Sequence, residues 1–166
     1  IARLEFIQGK PLAAIMRWQK LVTEHPEAER ATRRLALAYS IADEPRKATE
    51  LLLRLLQRHP DDGELKMQLG ESLLRSGQDI RAIEVLRDAV RGNAGTGKTR
   101  ALLAMALANH GEVNAAEGMF DEAITMEPTS RSIRLNYASF REKKGDRNGA
   151  ATLYKSQLAR DPNDRD

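Results

Sequence analysis

The sequence predicts an all-α protein, a ladder of antiparallel helix pairs. Three observations carry this expectation: a fixed 34-residue period in its small, glycine, large apolar and proline positions, apolar residues recurring at helical spacing between them, and no run that reads as a strand.

Prolines stand at Pro26, Pro60, Pro128 and Pro162, separated by 34, 68 and 34 residues, and the skipped slot holds Ala94. On the same period an unbroken alanine column runs through Ala14, Ala48, Ala82, Ala116 and Ala150. A second small column reads Ala2, Ala36, Gly70, Ala104 and Ala138, and a third reads Gly9, Asp43, Gly77, Gly111 and Gly145. A fourth holds the large residues Trp18, Leu52, Leu86, Phe120 and Tyr154. Each column has a physical reason. Antiparallel helices that cross closely admit only glycine or alanine at the crossing, which accounts for the small columns, and the large column fills the space beside them. A glycine just past the first helix of a pair takes the left-handed conformation that closes it. A proline after the second helix stops it and starts the next. Between these marks Leu65, Leu69 and Leu73, or Leu103 and Leu107, recur on one helical face.

A 34-residue helix-turn-helix unit with these positions resembles the tetratricopeptide repeat family. The resemblance covers the chain as a single solenoid, with units at about 29–62, 63–96, 97–130 and 131–164. A partial unit at about 1–28 precedes them and supplies the end of a first helix and a full second one. Asp43 in place of glycine, Ala94 in place of proline and the absence of a first-helix tryptophan are departures that leave the register intact. The resemblance implies a right-handed α-α superhelix of antiparallel pairs, in which each unit buries its face only against its neighbours. Leu153, Tyr154 and Leu158 in the last helix, and a closing RDPNDRD that reads as the lead-in to another unit, point to a fragment of a longer protein or to self-association through exposed terminal repeats.

At 41% hydrophobic and 31% charged, the 166-residue chain has the make-up of one globular domain rather than of a disordered segment. The net charge of +3 comes from interleaved Lys/Arg and Asp/Glu, without the basic block that nucleic-acid binding uses, so no nucleic-acid partner is expected. The absence of cysteine excludes disulfides and thiolate metal sites and leaves cytoplasm and periplasm equally open. No apolar run approaches the roughly 20 residues of a membrane span, so no direct membrane insertion of this fragment is expected. Arginine outnumbers lysine and alanine is abundant, which fits a GC-rich bacterial source.

Residues 92–99, GNAGTGKT, match the phosphate-binding P-loop pattern in full. In such a loop backbone N–H groups wrap the phosphates, Lys98 would neutralise the terminal ones and Thr99 would hold magnesium. The pattern requires a parallel strand before it, whereas Ile83, Leu86 and Val90 are spaced as on a helix. The motif falls on the joint between two units without breaking the period, so it reads as a glycine-rich connector and no cofactor is expected. Gly92, Gly95 and Gly97, replacing the proline turn of other joints, predict a flexible seam between the units on either side. His25 and His59 share a repeat slot but lack a third ligand. Trp18 falls in the core column. The carboxylate pairs Asp43–Glu44, Asp61–Asp62 and Asp121–Glu122 are sequence neighbours that diverge by about 100° on a helix. Neither a metal site nor a catalytic set is expected, and the chain reads as non-enzymatic.

In the family that the sequence resembles, the first helices of successive units line a concave groove that receives a peptide or helix of a partner protein. The matching positions are Arg33, Arg34 and Leu37; then Met67, Gln68 and Glu71; then Lys98, Ala101, Leu102, Met105 and Asn109; and finally Leu135, Asn136 and Ser139. Leu37, Met67, Leu102, Met105 and Leu135 would form an apolar strip with basic groups at one end, suited to an amphipathic helix or an extended apolar segment. The subtype that grips chaperone tail carboxylates is excluded: of its Lys, Asn and Arg positions only Lys98 agrees, with Arg33, Leu37, Gln68 and Leu102 standing at the others. The expectation is a scaffold for protein partners in an assembly such as a bacterial pilus, secretion or polysaccharide-export machine. A self-assembling homo-oligomeric scaffold and a nucleotide binder built on residues 92–99 are the alternatives.

Overall fold

A computed structural model describes residues 11–92 and 94–160. Among the described residues nine helices follow one another and there is no strand. They are α1 (Pro11–Glu24), α2 (Glu29–Ile41), α3 (Pro45–Arg58), α4 (Gly63–Arg75), α5 (Asp79–Arg91), α6 (Gly97–His110), α7 (Val113–Met126), α8 (Arg131–Lys143) and α9 (Arg147–Arg160). Each helix packs on the next, and α4, α6 and α8 also touch one another in turn, whereas α3, α5, α7 and α9 show no comparable approach. The ladder therefore curves with α4, α6 and α8 on its inner side.

The periodic columns set this geometry. Ala14, Ala48, Ala82, Ala116 and Ala150 are all at most 1% exposed, because each sits where two helix backbones cross. Ala36, Gly70, Ala104 and Ala138 are buried on the partner helices. A Cβ on Gly70 would come within 2.4 Å of Leu86 Cγ, so this crossing admits no side chain at all. Asp43, Gly77, Gly111 and Gly145 all have positive φ, between 58° and 92°, and each lies just past the first helix of a pair. Asp43 adopts the left-handed region that aspartate tolerates better than most residues. The fourth column fills the core with Trp18, Leu52, Leu86 and Phe120, and Tyr154 is half-buried. Ala2, Gly9 and residues 161–166 lie outside the described residues.

Two features were not anticipated from the sequence. One is a further column, Lys66, Arg100 and Arg134, that clamps the last three pairs from within. Lys66 reaches Asp88, Arg100 Nε donates to Glu122 Oε2 at 2.8 Å, and the buried Arg134 donates to Gln157 and to the Pro128 carbonyl. The other is the joint between α7 and α8, the least intimate of the consecutive contacts. There Phe120 stacks on Tyr137 with centroids 4.9 Å apart and tilts against Phe140 at 5.2 Å. Phe140 occupies the repeat slot of Ala38, Ser72 and Ala106, all of them buried small residues, so a ring stands where the other units have almost nothing.

At the seam Gly95 and Gly97 meet neighbouring backbone closely. A Cβ on Gly95 would stand 2.7 Å from the Val90 carbonyl oxygen, and one on Gly97 would stand 2.9 Å from that of Ala123. These glycines provide room for the close approach of neighbouring backbone.

Candidate functional site

The residues expected to line the groove are α2, α4, α6 and α8 residues, and the structure separates them into three groups. Met67, Ala101 and Leu102 are only 6%, 2% and 8% exposed, which corrects the expectation of a continuous apolar strip. The cause is the direct contact of α4 with α6, which turns their facing side chains into core. Across the same stretch Lys98 Nζ of α6 lies 3.1 Å from Glu71 Oε2 of α4, a partly exposed ion pair that bridges the two helices. Leu135 is half-buried.

The rest gathers in two recesses. Toward the chain's start, Arg33, Arg34, Leu37 and Gln68 border an open recess of about 630 Å³ together with Trp18 and Arg30. Leu37 is 42% exposed there. Toward its end, Met105, Asn109, Asn136 and Ser139 border a smaller recess of about 220 Å³, with Phe120 and Phe140 behind them and Lys143 at the mouth.

The electrostatics of the two ends are alike. Arg33 is held between Glu29 at 3.0 Å and Asp62 at 2.8 Å. Desolvation acts to lower the Arg33 pKa, but its two carboxylate partners outweigh it and raise the value. The bond from His59, then that from Arg33, holds the Glu29 carboxyl below its ordinary range. Asp62 caps α4 by accepting from the Leu65 amide at 3.0 Å. Burial pushes the Asp62 pKa up, and the Leu65 amide and Arg33 together bring it below normal. Arg30 and Arg34 enter no ion pair among the described residues, and neither does Lys143. Lys144 is matched by Glu117, and Asn109 donates to Asp79 at 3.0 Å.

Arg30 and Lys143 were not among the residues expected to line the groove, although the period reaches both: Arg30 shares the slot of Lys98, and Lys143 that of Asn109. The contributions of Trp18 and Phe120 come from second helices, which a search limited to first helices passes over.

At residues 92–99 the arrangement differs from a phosphate loop. The preceding α5 is helical, and Thr96 caps α6 by accepting from the Thr99 amide at 3.2 Å. The Lys98 amide, at the positive end of α6, donates to Glu127 Oε1 at 3.2 Å, so the chain's own carboxylate stands where a phosphate would. Thr99 is fully buried, with its Oγ1 bonded to that of Thr96. His25 faces Glu27 at 3.3 Å and His59 faces Glu29 at 2.8 Å. No group of three or more potential metal ligands gathers among the described residues, and none of their helices is long and apolar enough to cross a membrane.

Comparison with known proteins agrees with this geometry. A family model for the tetratricopeptide repeat matches residues 42–96 and 102–165. No curated protein matches significantly. Among solved structures, a thermophilic protein of this repeat type from Thermus thermophilus superposes with a TM-score of 0.82 at 23% identity, covering 98% of this chain and 89% of that one. MamA from Desulfovibrio magneticus RS-1 gives 0.80 at 14%, covering 99% and 93%. YrrB, described as having an unusual peptide-binding site, gives 0.69 at 21%, covering 98% and 84%. At such identities the likeness establishes the shared fold.

Proposed function

Since the chain belongs to the tetratricopeptide repeat family, whose fold serves as a protein-interaction scaffold, we propose that it holds a segment of a partner protein along the inner face of α2, α4, α6 and α8. The observation that carries this reading is the pair of recesses at the two ends of that face. Each combines an apolar surface with a cation unpaired among the described residues, and the Lys98–Glu71 ion pair bridges the stretch between them. The peptide-binding site of YrrB lends support by fold analogy. The composition and the structural neighbours fit a bacterial source, and an assembly such as a bacterial pilus, secretion or polysaccharide-export machine is the setting we propose for it.

An affinity pull-down from the source cell tests the reading. The native chain is compared with an inner-face variant, Arg34→Glu with Leu37→Glu, and an outer variant, Ile80→Glu. All three positions are exposed, so folding is retained. Loss of a partner from the inner-face variant alone supports the proposal, and retention by that variant with loss from the outer one contradicts it.

A second reading, homo-oligomeric assembly through the terminal helices, is favoured by Leu12 and Met16 of α1, 73% and 69% exposed, and by Leu158 of α9 at 44%. Light scattering over a wide concentration range distinguishes it: a mass that rises with concentration, and stops rising in a Leu12→Glu, Leu158→Glu variant, is the expected signature.

A further inference from the structure

We propose that the recess between α6, α7 and α8 is the anchor point of the partner, taking one leucine- or phenylalanine-sized side chain from a segment that carries a carboxylate beside it. This inference rests on the inner-face reading and narrows it to one side chain and one charge.

The recess exists because of a local exception to the repeat. At the other joints the slot of Phe140 holds Ala38, Ser72 or Ala106, and the neighbouring helices close over it. At the last joint the stacked rings of Phe120 and Tyr137, with Phe140 beside them, stand α7 off from α8 and leave a cavity of about 220 Å³ open to the inner face. That volume suits a single side chain rather than a drug-sized ligand. Its floor is Met105, Ala108, Val113, Phe120 and Phe140. Phe120 is fully buried and fixed by its stacking partner, while the half-exposed Met105 can adapt to different shapes. A rigid aromatic floor with a desolvating rim is the usual setting of an interface anchor.

The rim decides the chemistry beside the anchor. The Asn136 amide and the Ser139 hydroxyl make no hydrogen bond among the described residues, and Lys143 makes no ion pair there. Lys144 is matched by Glu117, a carboxylate that Arg141 also contacts at 3.5 Å, and Asp79 is held by the Asn109 amide at 3.0 Å, while Lys143 itself has no ion-pair partner among the described residues. An uncompensated ammonium with two free polar groups next to an apolar floor selects a carboxylate and repels a cation. Arg30 and Arg34, unpaired at the other recess, extend the same preference along the face.

The test is a ¹⁵N NMR titration of the chain with three synthetic peptides: acetyl-Asp-Phe-Asp-amide, acetyl-Asp-Ala-Asp-amide and acetyl-Lys-Phe-Lys-amide. The first is expected to shift the amides of Asn136, Ser139 and Lys143 and to bind about tenfold tighter than either control. Ser139→Phe, which fills the recess, removes the shifts. Lys143→Glu, at an exposed position that leaves the fold intact, abolishes the preference for the acidic peptide. Equal binding of the three peptides, no shift with any of them, or shifts that survive Ser139→Phe would overturn the proposal. If the surviving shifts lie at Arg34 and Leu37, the anchor is wrong and the inner-face reading stands; if they lie only at outer positions such as Ile80, both fall. Shifts at the recess that grow with protein concentration alone would replace the acidic partner with a second copy of the chain.

Discussion

Two glycines on this chain carry opposite meanings. Gly70 lies under Leu86, and any Cβ there meets that side chain at 2.4 to 3.0 Å, so Gly70→Ala overpacks the crossing and is expected to cost about 1–3 kcal/mol. Gly118, on α7, has open space within 4 Å of where a Cβ would stand, so Gly118→Ala gains helix propensity and is expected to stabilise by roughly 1 kcal/mol. Urea denaturation of the two variants measures both. The sequence made the first legible, because Gly70 falls in a column with Ala36, Ala104 and Ala138. It left Met67 and Leu102 misread, because a repeat slot tells which way a side chain points and not how near the next helix stands. The acidic residues Glu29 and Asp62, joined through Arg33, give a pH dependence. Both have folded pKa values below normal, so their contribution to stability is complete above the ordinary carboxylate range and disappears as pH falls through their lowered values. The melting temperature is expected to drop as pH falls through and below the ordinary carboxylate range, and less steeply in a Glu29→Gln, Asp62→Asn variant.

Between helices, polar contacts and rings hold the pairs in ways that apolar periodicity does not reveal. The cation column Lys66, Arg100 and Arg134 repeats at the same period as the alanines, yet it escapes a search for small and apolar positions because its partners lie 22 or 23 residues ahead on the other helix. The α7–α8 joint depends on Tyr137, whose hydroxyl donates to Asp121 at 2.6 Å while Arg141 sits 4.6 Å from the ring centroid. Burial first, then the Asp121 carboxylate, pushes the Tyr137 pKa up to about 12. The raised value means that the neutral phenol supports the fold fully below the normal tyrosine range, and that this support is lost as pH rises through about 12. A spectrophotometric titration is expected to show Tyr137 as the last tyrosine to ionise, together with unfolding, after the less strongly raised Tyr154, and Tyr137→Phe removes that last step. At the seam before α6 the glycine-rich connector needed structure to interpret: the motif pattern is complete, but Glu127 already accepts from the helix terminus that a phosphate would need.

Over the whole molecule, small side chains at every crossing let paired helices nest, and the mutual approach of α4, α6 and α8 curves the ladder around one face. That face was legible from the repeat, and its division into two recesses was not, because the division depends on how closely α4 and α6 approach and on Phe140 standing in a slot for small residues. The central claim is that this curved inner face is where partners are held. Site-specific photo-crosslinking in the source cell tests it most directly, with p-benzoylphenylalanine placed at the inner positions Leu37 and Asn136 and at the outer positions Leu53 and Ile80. Adducts to the same partner from the two inner positions, and none from the outer pair, is the result this account predicts; adducts from the outer pair alone would contradict it.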